Sequence, residues 1–183
     1  MKALKLPHRL QLCLGVALMA LLLGACRSGA PLPTVPQVDL QRYQGDWYVI
    51  AAIPSYPERE AYNAVESYSL QPDGRIHTTF RYRKGSFTAP VKTMHPVGTV
   101  RPNSGQAVWG MQFIWPIKAE YLICYLDPGY RTVIVGRSKR DYVWIMARTP
   151  TLSESEYKNL VERVAALGYD VGKLRKVPQR WPE

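Results

Sequence analysis

The sequence predicts an all-β protein: an eight-stranded up-and-down antiparallel β-barrel with a C-terminal α-helix packed on its outside. Three observations support this fold class. Eight short segments are rich in aromatic and β-branched residues, which favour strands. Turn residues separate them at short, regular intervals, as expected when each strand is followed by its antiparallel neighbour. A single helical pattern follows the last segment. A barrel of eight strands has room for one small ligand.

The predicted strands are bounded by breaks that contain turn residues, such as Pro72-Asp73-Gly74 and Asp127-Pro128-Gly129. The longest break joins the first two strands and spans residues 54–63. The segments are 47–53, 64–70, 75–83, 91–101, 107–114, 121–126, 131–136 and 142–148. A further edge strand is possible within residues 170–177.

The predicted helix begins after Ser153, because Ser153 and Glu156 have the spacing of a capping box. It ends at Gly168, which suits a left-handed C-terminal cap. Its apolar residues recur at helical spacing and are expected to pack on the outside of the barrel. They are Tyr157, Leu160, Val161, Val164 and Leu167.

The N-terminus has the features of a secretory signal: a basic start, an apolar stretch over residues 10–23, and small residues before a cysteine. The sequence Leu23-Gly24-Ala25-Cys26 is similar to a bacterial lipobox, in which the cysteine is acylated and becomes the first mature residue. We therefore predict a signal peptide over 1–25, a proline-rich tether anchored by lipid at Cys26 over 26–38, and a folded domain over 39–183.

The formal net charge is +10, from 24 basic and 14 acidic residues. Removal of residues 1–25 leaves 21 basic residues and a charge of about +7. This balance favours anionic partners. Nucleic acid is not an expected partner outside the cytoplasm, so phospholipid head groups and lipopolysaccharide phosphates are the candidates.

Two separated segments are predicted to meet at one end of the barrel. Gly45 allows a tight turn just before Trp47, which begins the first strand. The last strand ends at Arg148, and an arginine at the end of a buried strand needs a partner. The indole face of Trp47 can provide one by a cation–π contact.

Three patches together resemble the lipocalin family, and specifically its bacterial outer-membrane lipoproteins. They are Gly45-x-Trp47, the segment Leu126-Asp127-Pro128-Gly129-Tyr130-Arg131, and the segment Trp144-Ile145-Met146-Ala147-Arg148-Thr149-Pro150. The resemblance covers residues 38–178 and is weakest over 82–106. It implies that Trp47 and Arg148 brace the closed end of the barrel, and that the loop over residues 54–63 overhangs the open mouth.

Strand alternation predicts which side chains line a cavity. Trp144 and Met146 share parity with Arg148, and Val49 and Ala51 share parity with Trp47, so these positions are expected to face inward. Trp109, Met111 and Phe113 alternate along another strand. The resemblance favours an open cavity over a filled barrel. The predicted lining is therefore Val49, Ala51, Trp109, Met111, Phe113, Trp144 and Met146.

The resemblance implies a binding protein without catalysis, which takes a fatty acid or a lysophospholipid for lipid storage or transport in envelope maintenance under stress. It implies attachment to the outer membrane on the periplasmic side through acylated Cys26. No cofactor, metal or nucleic acid is expected, and a homodimer is left open. Cys124 is interpreted as a small buried core residue.

Two other functions remain open. A lipocalin-fold enzyme acting on a lipid or isoprenoid would need acid–base residues in the cavity, which the sequence does not reveal. A haem- or tetrapyrrole-binding protein would need His77 or His95 inside the barrel. Two isolated histidines without other ligands at metal spacing argue against a metal site.

Overall fold

The computed structural model describes residues 31–182, which contain ten β-strands and two α-helices. The helices are α1, Leu40–Tyr43, and α2, Glu154–Ala166. The strands are β1 Gly45–Ile53, β2 Ala61–Leu70, β3 Ile76–Lys84, β4 Val91–Met94, β5 Val97–Val100, β6 Val108–Ile114, β7 Ile117–Leu126, β8 Thr132–Gly136, β9 Val143–Ala147 and β10 Arg175–Lys176.

The strands form one closed antiparallel barrel. Each strand pairs with the next along the chain, and β9 returns to pair with β1, which closes the sheet. Strands β4 and β5 both pair with β3 and together fill one position, so the barrel has eight positions. The predicted fold class is therefore confirmed. The fourth predicted strand forms as two strands, β4 and β5, and the short strand β10 pairs with β1.

The predicted strand over residues 91–101 is interrupted at His95-Pro96. Proline has no backbone N–H and cannot donate to a sheet ladder. Its carbonyl still accepts a hydrogen bond from the Thr78 N–H at 3.0 Å. The chain therefore stays beside β3 across the interruption.

Two apolar cores lie on opposite sides of the barrel wall. The inner core fills the closed half of the barrel around Trp47 and Trp109, both almost fully buried. The outer core lies under α2, where Leu160 and Val164 pack near Ile145. The predicted position of the helix is therefore confirmed. Its capping box is formed as well, since the Ser153 hydroxyl accepts the backbone N–H of Glu156.

A β-bulge in β1 changes which residues face the interior. Val49 pairs with Met146, but Ala51 pairs with Ile145, so one extra residue of β1 lies between them. Beyond the bulge Ala52 belongs to the inner core, whereas Ala51 belongs to the outer core under α2. The expectation that Ala51 faces inward is wrong, because the bulge reverses the parity on which it rested.

The C-terminal segment fills a gap between β1 and β2. These strands pair directly only from Gly45 to Tyr48 on β1, and further along β10 pairs with Ala51 and Ala52 instead. The side-chain amide of Gln179 then donates to the carbonyls of Val49, at 2.8 Å, and Ala64, at 3.2 Å. The segment after α2 is thus part of the barrel wall.

Residues 32–38, predicted as part of a tether, pack on the barrel. Leu32 and Val38 are buried, and the Val35 N–H donates to the Ile123 carbonyl at 2.9 Å. The folded unit therefore begins at Leu32 rather than at residue 39. The predicted signal peptide over 1–25 and Cys26 lie outside the described residues. Among residues 31–182, no helix has the length and apolar character to cross a membrane.

Candidate functional site

The closed end of the barrel is held by Arg148. Its guanidinium carbon lies 3.9 Å from the centroid of the Trp47 ring. Its nitrogens donate to four backbone carbonyls: those of Arg42 at 2.8 Å, Tyr43 at 3.2 Å, Asp46 at 2.8 Å and Tyr130 at 3.3 Å. Arg148 therefore joins α1, the start of β1 and the β7–β8 turn in addition to covering the indole.

Gly45 is required at this end by its backbone conformation. Its φ is +87°, a value that side chains with a Cβ rarely adopt. A Cβ would find ordinary contact distance there, 3.5 Å from Arg148. The constraint at Gly45 is thus conformational rather than one of space.

The open half of the barrel encloses a cavity of about 590 Å³. This volume lies within the range of about 300–1,000 Å³ typical of small-molecule sites. The described residues that line it are mostly apolar. The larger apolar ones are Phe80, Met94, Met111, Phe113, Ile114, Tyr121, Tyr142 and Trp144.

The floor of the cavity is formed by buried tyrosines and one glutamate. The Tyr121 hydroxyl lies 2.8 Å from that of Tyr43 and 2.7 Å from that of Tyr68. Tyr68 in turn donates to the carboxylate of Glu66. Trp109 stacks on Tyr121 with ring centroids 4.8 Å apart. The floor is thus a hydrogen-bonded chain set in an aromatic core, and it leaves Glu66 and Tyr121 facing the cavity.

Two carboxyl groups in the cavity have raised pKa values. Burial raises the pKa of Glu66 to about 7, and the nearby Glu58 contributes to this rise. Burial also raises the pKa of Glu58, which comes from the 3-10 helix Tyr56–Glu58 in the loop over the mouth. Hydrogen bonds from Ser55 act in the opposite direction on Glu58.

Polar atoms without a hydrogen-bond partner also line the cavity. Among residues 31–182 these buried side-chain atoms are Thr78 Oγ1, Arg137 Nε and Trp144 Nε1, and all three residues lie in its wall. The Trp144 N–H is close enough to the Glu58 carboxylate to favour its ionised form, but the approach is outside hydrogen-bond geometry. A ligand group can therefore satisfy these atoms.

The structure separates the predicted lining residues into three groups. Met111, Phe113 and Trp144 line the cavity. Val49, Trp109 and Met146 lie in the inner core, in its filled part and outside the cavity wall. The remaining residue, Ala51, lies in the outer core.

Sequence reasoning missed Glu58, Glu66 and Arg137, which all line the cavity. Glu66 had a detectable signal, because it alternates with the inward-facing Tyr68 on β2. Glu58 and Arg137 lie in loops, where the inward–outward alternation of strand side chains does not apply. The conformation of each loop determines that these two side chains reach the cavity.

The remaining candidate groups are His77, His95 and Cys124. His77 is exposed on β3, and His95 borders the cavity while its ring nitrogen lies 3.4 Å from Thr79 Oγ1 on the exposed side. Burial raises the pKa of the Cys124 thiol to about 12, which keeps it protonated and unreactive. Residues 31–182 contain no cluster of three or more potential metal-ligating His, Cys, Asp or Glu side chains.

A family model described as a lipocalin-like domain matches residues 38–179. This chain belongs to the lipocalin family. The match spans the barrel, α2 and β10, and it includes Gly45, Trp47 and Arg148.

Sequence relatives of this lipocalin include a plant protein and bacterial lipoproteins. It is 33% identical over 159 residues to temperature-induced lipocalin-1 of Arabidopsis thaliana, covering 81% of this chain and 83% of the relative. It is 29% identical over 177 residues to the outer membrane lipoprotein Blc of Escherichia coli K12, covering 93% of this chain and 98% of the relative. The lipocalin is therefore Blc-like along almost its whole length.

Solved structures show the same fold at low identity. Insecticyanin from the tobacco hornworm Manduca sexta superposes with a TM-score of 0.64 and 14% identity, covering 83% of this chain and 85% of that one. Apocrustacyanin C2 gives a TM-score of 0.63 at 11% identity, covering 78% of this chain and 80% of that one. These likenesses establish the barrel architecture alone.

Proposed function

We propose that this lipocalin binds a fatty acid or a lysophospholipid in the barrel cavity and stores or transports it for envelope maintenance under stress. The observation that supports this most directly is the cavity itself, a mostly apolar space closed below by Tyr121 and open at the loop end of the barrel. Each methylene group moved from water into such a space gains about 0.8 kcal/mol.

The polar groups favour one orientation of the ligand. An anionic head group beside Glu66 and Glu58 would meet like charges in a poorly solvated site. Near Arg137 it would instead meet a guanidinium whose Nη1 pairs with Asp141 at 3.2 Å and whose Nε has no hydrogen-bond partner. The acyl chain therefore points to the tyrosine floor, and the head group lies beside Arg137 at the mouth.

The location proposed for this activity is the periplasmic side of the outer membrane, with acylated Cys26 as the anchor. The relatives named as outer membrane lipoproteins support this location. The Leu-Gly-Ala-Cys sequence that ends at Cys26 supports the anchor.

The experiment that tests the proposal is mass spectrometry of lipids that co-purify with the protein, followed by titration with a long-chain fatty acid and a lysophospholipid. Binding should raise the melting temperature, because the ligand binds only the folded state. Arg137→Ala should weaken binding of both lipids, and Lys139→Ala, a neighbouring exposed cation, is its control. Equal affinity of the Arg137→Ala variant would contradict the proposed orientation.

A second candidate function is supported by the cavity carboxyl groups. An enzyme acting on a lipid or isoprenoid needs a general acid or base with a pKa near neutrality, and Glu66 has such a value beside a chain of tyrosine hydroxyls. Turnover of a bound lipid that is lost in Glu66→Gln would favour this function. Recovery of intact ligand after prolonged incubation would favour storage or transport. Visible absorption of the purified protein tests the haem or tetrapyrrole alternative.

A further inference from the structure

Exposed apolar side chains are concentrated at the open end of the barrel. Seven large apolar residues between residues 31 and 182 are exposed, and six lie on loops or strand ends around the mouth. The seventh, Val171, follows the C-terminal helix. The six are Tyr56, Val91, Phe113, Ile114, Trp115 and Ile117.

Four of these six form the tip of the β6–β7 hairpin, here called the apolar tip: Phe113, Ile114, Trp115 and Ile117. Ile114 pairs with Ile117, so Trp115 and Pro116 make the turn itself. Trp115 is 82% exposed, Ile114 72% and Ile117 70%. A contiguous exposed apolar surface of this kind indicates an interaction site.

Four exposed cations lie at the same end of the barrel as the apolar tip. Lys118 directly follows it on β7, and Lys92 lies near the start of β4 at the same end of the barrel. Arg59 and Lys139 lie in the two other loops at the mouth. None of these four makes an ion pair with another residue between 31 and 182. Their charge is therefore available to an anionic partner.

We propose that the open end of the barrel docks on an anionic lipid bilayer, with the apolar tip inserted at the boundary between head groups and acyl chains. A narrow hairpin tip offers little flat area for a protein partner but fits the interfacial layer. Tryptophan favours this depth, and lysine and arginine favour anionic head groups above it. The chemistry of the tip and of these four cations thus matches the chemistry of a membrane surface.

The apolar tip is continuous with the cavity. Phe113 and Ile114 are exposed to solvent and also line the cavity wall. Docking through the tip therefore places the mouth against the acyl region of the bilayer. A single-chain lipid then moves between bilayer and cavity without crossing water. This inference rests on the proposed function for how the cavity is loaded. The binding of the protein to membranes can be tested whichever ligand the cavity holds.

The test uses residues 27–183, which include the whole compact unit from Leu32 and both apolar cores but no acylated cysteine. Co-sedimentation is measured with vesicles of phosphatidylcholine, alone or mixed with phosphatidylglycerol. Wild type should bind the mixed vesicles more tightly, with a blue shift of tryptophan emission. The double variant Trp115→Ser/Ile117→Ser should bind about tenfold more weakly, since affinity follows the buried apolar area. Val171→Ser, which removes an exposed apolar side chain outside the tip, should bind like wild type.

The contribution of charge is tested with the double variant Lys92→Glu/Lys118→Glu, which should bind the mixed vesicles more weakly than wild type. Arg101→Glu reverses the charge of an exposed residue in the β5–β6 connection at the closed end, and it should have a smaller effect.

Trp115 and Ile117 do not line the cavity, so the tip variant should bind a fatty acid supplied in solution as wild type does. If neither wild type nor any variant binds the fatty acid, the proposed function is contradicted. The vesicle measurements still test the docking proposal in that case.

Two outcomes would overturn the docking proposal. One is equal vesicle binding by wild type and the tip variant. The other is a wild-type dimer in sedimentation analysis that the tip variant converts to a monomer without any change in vesicle binding, which would assign the tip to contact between two copies of this chain.

Discussion

Arg148 does more at the closed end of the barrel than its pairing with an indole requires. The sequence suggested a cation–π contact, and the structure adds four hydrogen bonds, three to carbonyls within residues 42–46 and one to the distant Tyr130 carbonyl. Each carbonyl belongs to a segment that ends at the barrel floor, so one side chain fixes their relative positions.

Substitutions at this pair should therefore have effects of similar size. Trp47→Ala should lower the free energy of unfolding by about 3–5 kcal/mol through the cavity it leaves. Arg148→Ala should lower it by about 2–4 kcal/mol through lost hydrogen bonds. Denaturant unfolding of both single variants and the double variant measures their coupling. Simple additivity would show that the contact contributes nothing.

Two alanines distinguish the cavity from the outer core. Ala119 lines the cavity, so Ala119→Trp should fill it and abolish lipid binding while the barrel stays folded. Ala51 is fully buried under α2, so Ala51→Trp should overpack the outer core and destabilise the protein by about 1–3 kcal/mol. Lipid titration with circular dichroism on the same samples separates the two effects. Tight lipid binding by Ala119→Trp would place the ligand outside this cavity.

At the scale of elements, the barrel wall depends on a segment that follows the helix. Strands β1 and β2 diverge after Tyr48, and β10 with Gln179 takes up hydrogen bonds that β2 would otherwise make. The Asn63 N–H likewise donates to the Pro178 carbonyl at 2.9 Å. Residues 175–179 thus close the gap between β1 and β2 in the barrel wall.

Gln179→Ala should therefore destabilise the barrel by about 1–3 kcal/mol, because the Val49 and Ala64 carbonyls lose a donor at partly buried positions. Gln41→Ala, on the exposed surface of α1, is the matched control and should change stability little. Hydrogen exchange of the β1 amides should rise only in Gln179→Ala. Equal stability of the two variants would show that solvent replaces the Gln179 amide.

At the scale of the whole molecule, the stability of the barrel should depend on pH through its cavity. The unfolded chain loses the Glu66 proton near the ordinary pKa of 4.5, whereas the folded chain holds it to about 7. The folded state thus binds more protons between these values, and the free energy of unfolding should fall as pH rises through this window, by up to about 3 kcal/mol. Carboxyl groups with lowered pKa values, such as Asp127, titrate below the window.

Denaturant unfolding across this pH range measures the effect. Glu66→Gln should remove the part of the fall that comes from Glu66 while keeping a hydrogen-bond acceptor for Tyr68. The raised pKa of Glu58 gives a fall of the same sign, which should remain in this variant. Stability that rises with pH equally in wild type and Glu66→Gln would contradict the assignment.

Attachment to the membrane gives a prediction for the full chain. Cys26→Ser should leave an unacylated precursor, because the predicted lipobox then lacks its thiol. Metabolic labelling with a fatty acid and the mass of the mature protein measure this. A normally acylated mature form would show that the anchor is elsewhere.

The fold and the closed end could be predicted from the sequence because both depend on local patterns. Strand alternation, turn residues and the Ser153–Glu156 capping box act over a few residues. The family patches around Gly45, Trp47 and Arg148 then identified which ends of the barrel meet. These features determine the barrel, its helix and its closed end.

The tertiary structure decided the cavity. The bulge after Val49 turned Ala51 outward, and only strand pairing shows where such an extra residue lies. Glu58 and Arg137 reach the cavity from loops, whose course depends on packing across the mouth rather than on periodicity. The raised pKa of Glu66 depends on distant residues that exclude water from the barrel. The amino-acid sequence by itself determined the barrel and its closed end. The polar groups of the cavity come from distant residues that only closure of the barrel brings together.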